Sequence, residues 1–142
     1  MTANDDKARI EAVLDAVRDG HRRKDAASIG AQFADDAVFY DLAPPLAHGP
    51  DVDGLAQWLA GWKGPVEIEE RNLKITVSGD LAVCHGLQHV SATTREGERA
   101  EWWHRLTLCL ARRGGDWKIV HEHTSVPFHM DGSFRAAIDL QP

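Results

Sequence analysis

The strongest constraint on the fold lies in the last third of the chain. There Trp102-Trp103-His104-Arg105-Leu106-Thr107-Leu108-Cys109-Leu110 and Trp117-Lys118-Ile119-Val120-His121-Glu122-His123-Thr124-Ser125 flank Arg113-Gly114-Gly115-Asp116. Two extended runs around a Gly-Gly turn predict a β-hairpin. Strand side chains alternate, so Arg105 and Thr107 share one face of the first run, and His121, His123 and Ser125 share one face of the second. An Arg, two His, a Thr and a Ser beside two Trp suit the lining of a pocket better than a dry core.

Two assignments of the faces are open. In the preferred one the polar set looks into a cavity, and Trp102, His104, Leu106, Leu108 and Leu110 form an apolar outer face. A second copy would cover that face, giving a sheet-to-sheet homodimer with twofold symmetry. In the other, the leucines line the core and Arg105 points outward. The first is preferred because it alone puts the histidine pair in a cavity.

Upstream, Ile10, Val13, Leu14 and Val17 recur with the spacing of an amphipathic helix. Asn4 or Asp5 is the expected cap, and Gly20 leaves the helix end open. A short second helix is expected over 26–33 and a strand over 37–41. A third helix is expected over 50–62, ended by Gly64-Pro65. Strands over 66–77, 81–93, 102–110 and 117–126 complete the order. Helices followed by an antiparallel meander imply a segregated α+β fold.

At 142 residues, a single domain over 1–142 is expected. A net charge of −6 disfavours a nucleic acid or an anionic membrane as partner. No apolar run reaches bilayer length, and the N-terminus lacks a signal-peptide pattern. Cys84 and Cys109 each sit in an apolar run, so free thiols in a reducing cytoplasm are expected.

The segment Phe33-Ala34-Asp35-Asp36-Ala37-Val38-Phe39-Tyr40-Asp41, the junction His48-Gly49-Pro50-Asp51 and the late W-x-I-x-H-x-H-x-S strand resemble the nuclear transport factor two-like superfamily. The likeness is closest to its SnoaL-like and ketosteroid-isomerase-like proteins. It implies a cone: a curved antiparallel sheet wrapped around three N-terminal helices, enclosing a pocket and commonly dimerising through the sheet. It also implies chemistry without a metal or cofactor. Asp41 stands where ketosteroid isomerases carry a general base. Their oxyanion-hole Tyr and Asp positions fall near Val17 and Trp103, so ketosteroid isomerisation is not expected.

Asp41 follows Phe39 and Tyr40 and precedes the stiff Leu42-Ala43-Pro44-Pro45 loop; it reads either as a pocket base or as a turn cap. His121 and His123 suit an acid, a relay, a structural role or, with Asp41, a metal site, which the family does not favour. Arg105 suits an oxyanion clamp or an internal salt bridge. His48 is placed at the pocket mouth, with Tyr40, Trp58, Trp103, Thr107 and Ser125 as candidate wall residues. The function expected is binding of a small organic ligand, with proton transfer of the isomerase, cyclase or dehydratase type. The alternative is a non-catalytic ligand-binding or dimeric assembly domain of the same fold.

Overall fold

The computed structural model describes residues 2–142. Helix α1 spans Ala3–Arg23, α2 Ala26–Gly30 and α3 Val52–Ala60. Strands are β1 Phe33–Tyr40, β2 Lys63–Ser78, β3 Leu81–Thr93, β4 Arg99–Arg113 and β5 Asp116–Ser125. They form one open, curved sheet in the order β1-β5-β4-β3-β2. The expected α+β cone is present. The meander β2 to β5 is antiparallel, whereas β1 runs parallel to β5, so the sheet is mixed.

Thr2, rather than Asn4 or Asp5, caps α1. Its hydroxyl accepts from the Asp5 amide at 3.2 Å while the Asp5 carboxylate accepts from the Thr2 amide at 3.1 Å, a reciprocal capping box. The apolar stripe of α1 buries Ile10, Val13 and Leu14 on the concave side of the sheet. Asp6, also buried, ties that helix to the sheet by accepting from Arg112 at 2.5 Å and from the Trp117 indole at 3.2 Å. The second helix is shorter than expected, and Phe33 already belongs to β1. Gly114 and Gly115, both at positive φ, make the hairpin turn.

Two of the register shifts in the sheet bear on the site. In β2 the register shifts between Arg71 and Lys74, with Asn72 left-handed at φ 58°. Gly86 lies opposite, where a Cβ would stand 3.0 Å from Leu73 Cα and 3.1 Å from the Arg71 carbonyl. The second shift is in the β4–β5 pair. Leu110 faces Ile119 and Cys109 faces His121, leaving Val120 as an extra residue. Bulges bend strands, and an unpaired residue also reverses the alternation beyond it.

That reversal decides the faces. Trp117 and Ile119 are buried on the concave side, but beyond Val120 it is Glu122 and Thr124 that turn inward, opposite Leu108 and Leu106. Leu106, Leu108 and Leu110 are core residues. The preferred face assignment is therefore corrected. The leucines line the core, and Arg105, Thr107, His121 and His123 lie on the convex face. Cys84 is buried on the concave side and half-buried Cys109 faces outward, so both are free thiols.

Candidate functional site

The concave face is apolar toward its closed end and polar toward the end of β1 and β5. Phe39 packs inward next to Phe33, and β1 ends at Tyr40, so Asp41 turns over the rim of the sheet. A short return of the chain pairs Phe39 with His48 through backbone bonds of 2.8 and 3.1 Å. The His48 ring stacks flat on Phe39 at 5.0 Å. This return places His48 Nε2 2.5 Å from Asp41 Oδ2, while Nδ1 lies 2.7 Å from the Gly49 carbonyl oxygen. An imidazolium satisfies both contacts, since each acceptor then receives an N–H. Burial alone would disfavour that charge, but the Gly49 carbonyl, Asp41 and Asp51 outweigh it and raise the His48 pKa.

Glu122 lies on β5 opposite Phe39, next to Asp41, and the two carboxyl groups interact. The residue is half-buried overall, and its carboxyl group is desolvated. Burial first, and the charge of Asp41 second, push its pKa up to about 8, against which His48 pulls only weakly. Glu122 thus holds a proton at neutral pH. Two carboxyl groups and an imidazole share one proton-rich cluster.

A cavity of about 420 Å³ opens beside Asp41. Trp102 and Thr124 form one side, and Phe128, Phe134 and Ile138 of the C-terminal segment form the other. Behind Trp102 lies buried His104, which accepts from the Trp102 indole N–H at Nδ1 (3.1 Å) and meets Gln88 Oε1 through Nε2 (2.8 Å). Burial lowers the His104 pKa to about 4, so this ring is neutral.

Of the residues singled out from the sequence, Asp41 and His48 are brought together. His121, His123, Arg105, Thr107 and Trp103 stand on the convex face. There Thr107 lies opposite His123, Arg105 Nε donates to Ser125 Oγ at 2.9 Å, and Trp103 stacks beneath Arg71 at 4.8 Å. Ser125 also touches the cavity rim. Tyr40 packs edge-on against His121 and His123 at 4.7 and 5.3 Å. Tyr40, His123 and Asp41 border a second, open groove of about 690 Å³ under the 42–47 loop. Trp58 packs against Trp62 and His21 on the helical side, away from both spaces. Among the described residues, no cluster of three or more His, Cys, Asp or Glu is arranged to hold a metal ion.

Glu122, His104, Gln88 and Trp102 escape the sequence reading. Glu122, His104 and Trp102 each sit one position from a residue that was chosen, on the opposite face, and Gln88 lies across the strands from His104. The signal that would have found them is the bulge at Val120, which is a property of the strand pairing.

Comparison with known proteins places these features in a context. A model of the SnoaL-like domain matches residues 10–129. An NTF2-like protein of unknown function from Pseudomonas putida is 28% identical over 100% of both chains, with a TM-score of 0.85. An NTF2-like superfamily protein from Salmonella enterica is 18% identical over 93% of this chain and 98% of its own, at a TM-score of 0.77. The association domain described as of calcium/calmodulin-dependent protein kinase II type from Xanthomonas campestris is 17% identical, covering 82% of this chain and 84% of its own, at 0.72. The chain has no match among functionally curated proteins.

Proposed function

The chain belongs to the SnoaL-like family, and from that premise we propose that its cavity binds a small organic carbonyl compound and moves a proton on it without a cofactor. The observation that carries this reading is the Asp41–Glu122–His48 cluster at the cavity mouth. Asp41 is the base. It takes a proton from a carbon acidified by a neighbouring carbonyl, and the electron pair of the broken C–H bond moves onto the carbonyl oxygen. Glu122, which keeps its proton at neutral pH, or His48, gives a proton to that oxygen, so charge does not build up in the cavity. Return of the Asp41 proton to another carbon, with the oxygen's proton going back to Glu122 or His48 as the carbonyl re-forms, completes an isomerisation. Delivery of the Asp41 proton to a β-hydroxyl, which leaves as water while the oxygen's proton goes back, completes a dehydration. His121, His123 and Arg105, on the convex face, take no part in these steps.

The test is deuterium uptake at the α-carbons of small bicyclic ketones such as 2-tetralone in heavy water. Catalysed uptake that falls about a hundredfold in Asp41→Asn supports proton transfer. Uptake that is the same in the variant and the parent sinks it.

A second role is favoured by the convex face itself. Val38, Tyr40, Leu81 and Val83 are exposed there beside His121 and Thr107. We assign this face to homodimerisation, a role compatible with catalysis in the cavity and also with the non-catalytic alternative.

A further inference from the structure

Two spaces meet at Asp41. The cavity of about 420 Å³ and the groove of about 690 Å³ are both bordered by Asp41, Leu42 and Thr124. Each volume is of the size that small-molecule sites occupy, roughly 300–1,000 Å³. None of the three shared residues is buried: Asp41 is exposed, Leu42 is 43% exposed and Thr124 is half-buried. The boundary is therefore a saddle at the rim of the sheet rather than a packed wall, and a molecule can lie across it.

Polar chemistry gathers on that saddle. Asp41 is paired with His48 and interacts with Glu122, and Thr124 adds a hydroxyl. The side chains that border one space alone are mostly apolar: Trp102, Phe134 and Ile138 in the cavity, Pro44, Pro45 and Leu46 in the groove. Tyr40 and His123 supply the remaining polar groups of the groove, and Ser125 that of the cavity. Leu46 is 98% exposed and Phe134 70%, so each space has a large apolar side chain standing in water. Burying such surface against an apolar group of a ligand is favourable, and here it is on offer on both sides of one carboxylate.

We propose that the cavity and the groove are two arms of one site, and that its ligand is elongated, with an apolar group on each side of its carbonyl. The carbonyl and the carbon next to it lie on the saddle beside Asp41, and one apolar group enters each arm. A ligand with a single apolar group leaves one arm in water. The proposal rests on the cavity being the ligand site, but not on proton transfer taking place there.

The experiment is calorimetric titration of the full chain with 2-acetylnaphthalene and with benzyl 2-naphthyl ketone, which carries a second ring on the far side of the same carbonyl. The two-armed ketone is expected to bind about tenfold tighter, the worth of partly burying one more ring. Two variants then fill one arm each. Ala47 borders only the groove and Ala136 only the cavity, and both are exposed, so either can be enlarged without disturbing the core. In Ala47→Trp and in Ala136→Trp the ratio of the two affinities falls to near one, because each variant has room for one ring system only. A greater general stickiness of the larger ketone would survive both fillings. A ratio near one in the parent, a ratio that survives either filling, or a variant that binds neither ketone overturns the two-armed site while leaving the cavity as a binding site. If the parent protein binds neither ketone, the cavity reading falls and this proposal falls with it.

Discussion

His48 and Asp41 form a charge-assisted pair, Nε2 to Oδ2 at 2.5 Å, across the short return between the first strand and the third helix. The pair joins a ring fixed by Phe39 to the carboxylate at the cavity mouth, so the protonation of His48 is coupled to that of the site.

The first prediction concerns that coupling. The folded-state pKa of His48 is raised above its ordinary 6.5. Its contribution to stability is therefore fully present below pH 6.5 and is lost as pH rises through the folded value. The ring is partly exposed, so solvent screens much of the effect on stability. An NMR titration is the direct measure. The His48 midpoint is expected above 6.5, moving down in Asp41→Asn. A parent midpoint below 6.5 would show that the pair does not form.

Glu122 makes a prediction of larger size. Its carboxyl is raised from 4.5 to about 8 in the folded chain. The unfolded chain gives up this proton from about pH 4.5 while the folded one retains it, so the contribution of Glu122 to stability declines between pH 4.5 and 8. Glu122→Gln, near-isosteric and without a titrating proton, removes that decline. Urea unfolding at pH 5 and pH 8 is expected to show the variant gaining on the parent with rising pH, by on the order of 1–3 kcal/mol. A constant difference between the two proteins at both pH values would place an ordinary carboxylate at Glu122.

Asp6 tests the seam between α1 and the sheet. Its carboxylate receives both the Arg112 guanidinium and the Trp117 indole while being 5% exposed. Asp6→Ala leaves both donors without this acceptor, and a loss of about 2–4 kcal/mol is expected in thermal or urea unfolding. Asp36→Ala, which breaks only the exposed pair with Arg113, is expected to stay within about 0.5 kcal/mol of the parent.

The convex face makes the last prediction. Tyr40→Glu puts a charge among the exposed apolar side chains of β1 and β3. Sedimentation at micromolar concentration is expected to show a dimer for the parent and a monomer for the variant. His121→Ala and Arg105→Ala, on the same face, are expected to leave 2-acetylnaphthalene binding in the cavity within about twofold. A monomeric parent would remove the face from assembly, and a large loss of binding in either alanine variant would contradict the separation of the two faces.

What the sequence determined by itself is whatever depends on near neighbours. The stripe Ile10-Val13-Leu14 marks the helix and its buried face. Gly114-Gly115 marks the hairpin, because two positive-φ residues are needed there and glycine supplies them without strain. Which residues share a face of β5 was also legible: His121, His123 and Ser125 stand together, opposite Cys109, Thr107 and Arg105. Asp41 and His48 were visible as mouth residues, though not as a pair, because the return that joins them is a backbone bridge between Phe39 and His48.

Only the tertiary structure decided which side of the sheet those faces belong to. Alternation read from Trp117 and Ile119 carries His121 inward, and it fails because Val120 has no partner on β4. A bulge is a relation between two strands, set by the register that lets Leu110 meet Ile119 and Leu108 meet Glu122. One unpaired residue exchanges the faces of all that follows, sending the histidine pair out and bringing Glu122 against Asp41. Periodicity within one strand carries no record of that exchange, since the residue that causes it is an ordinary valine.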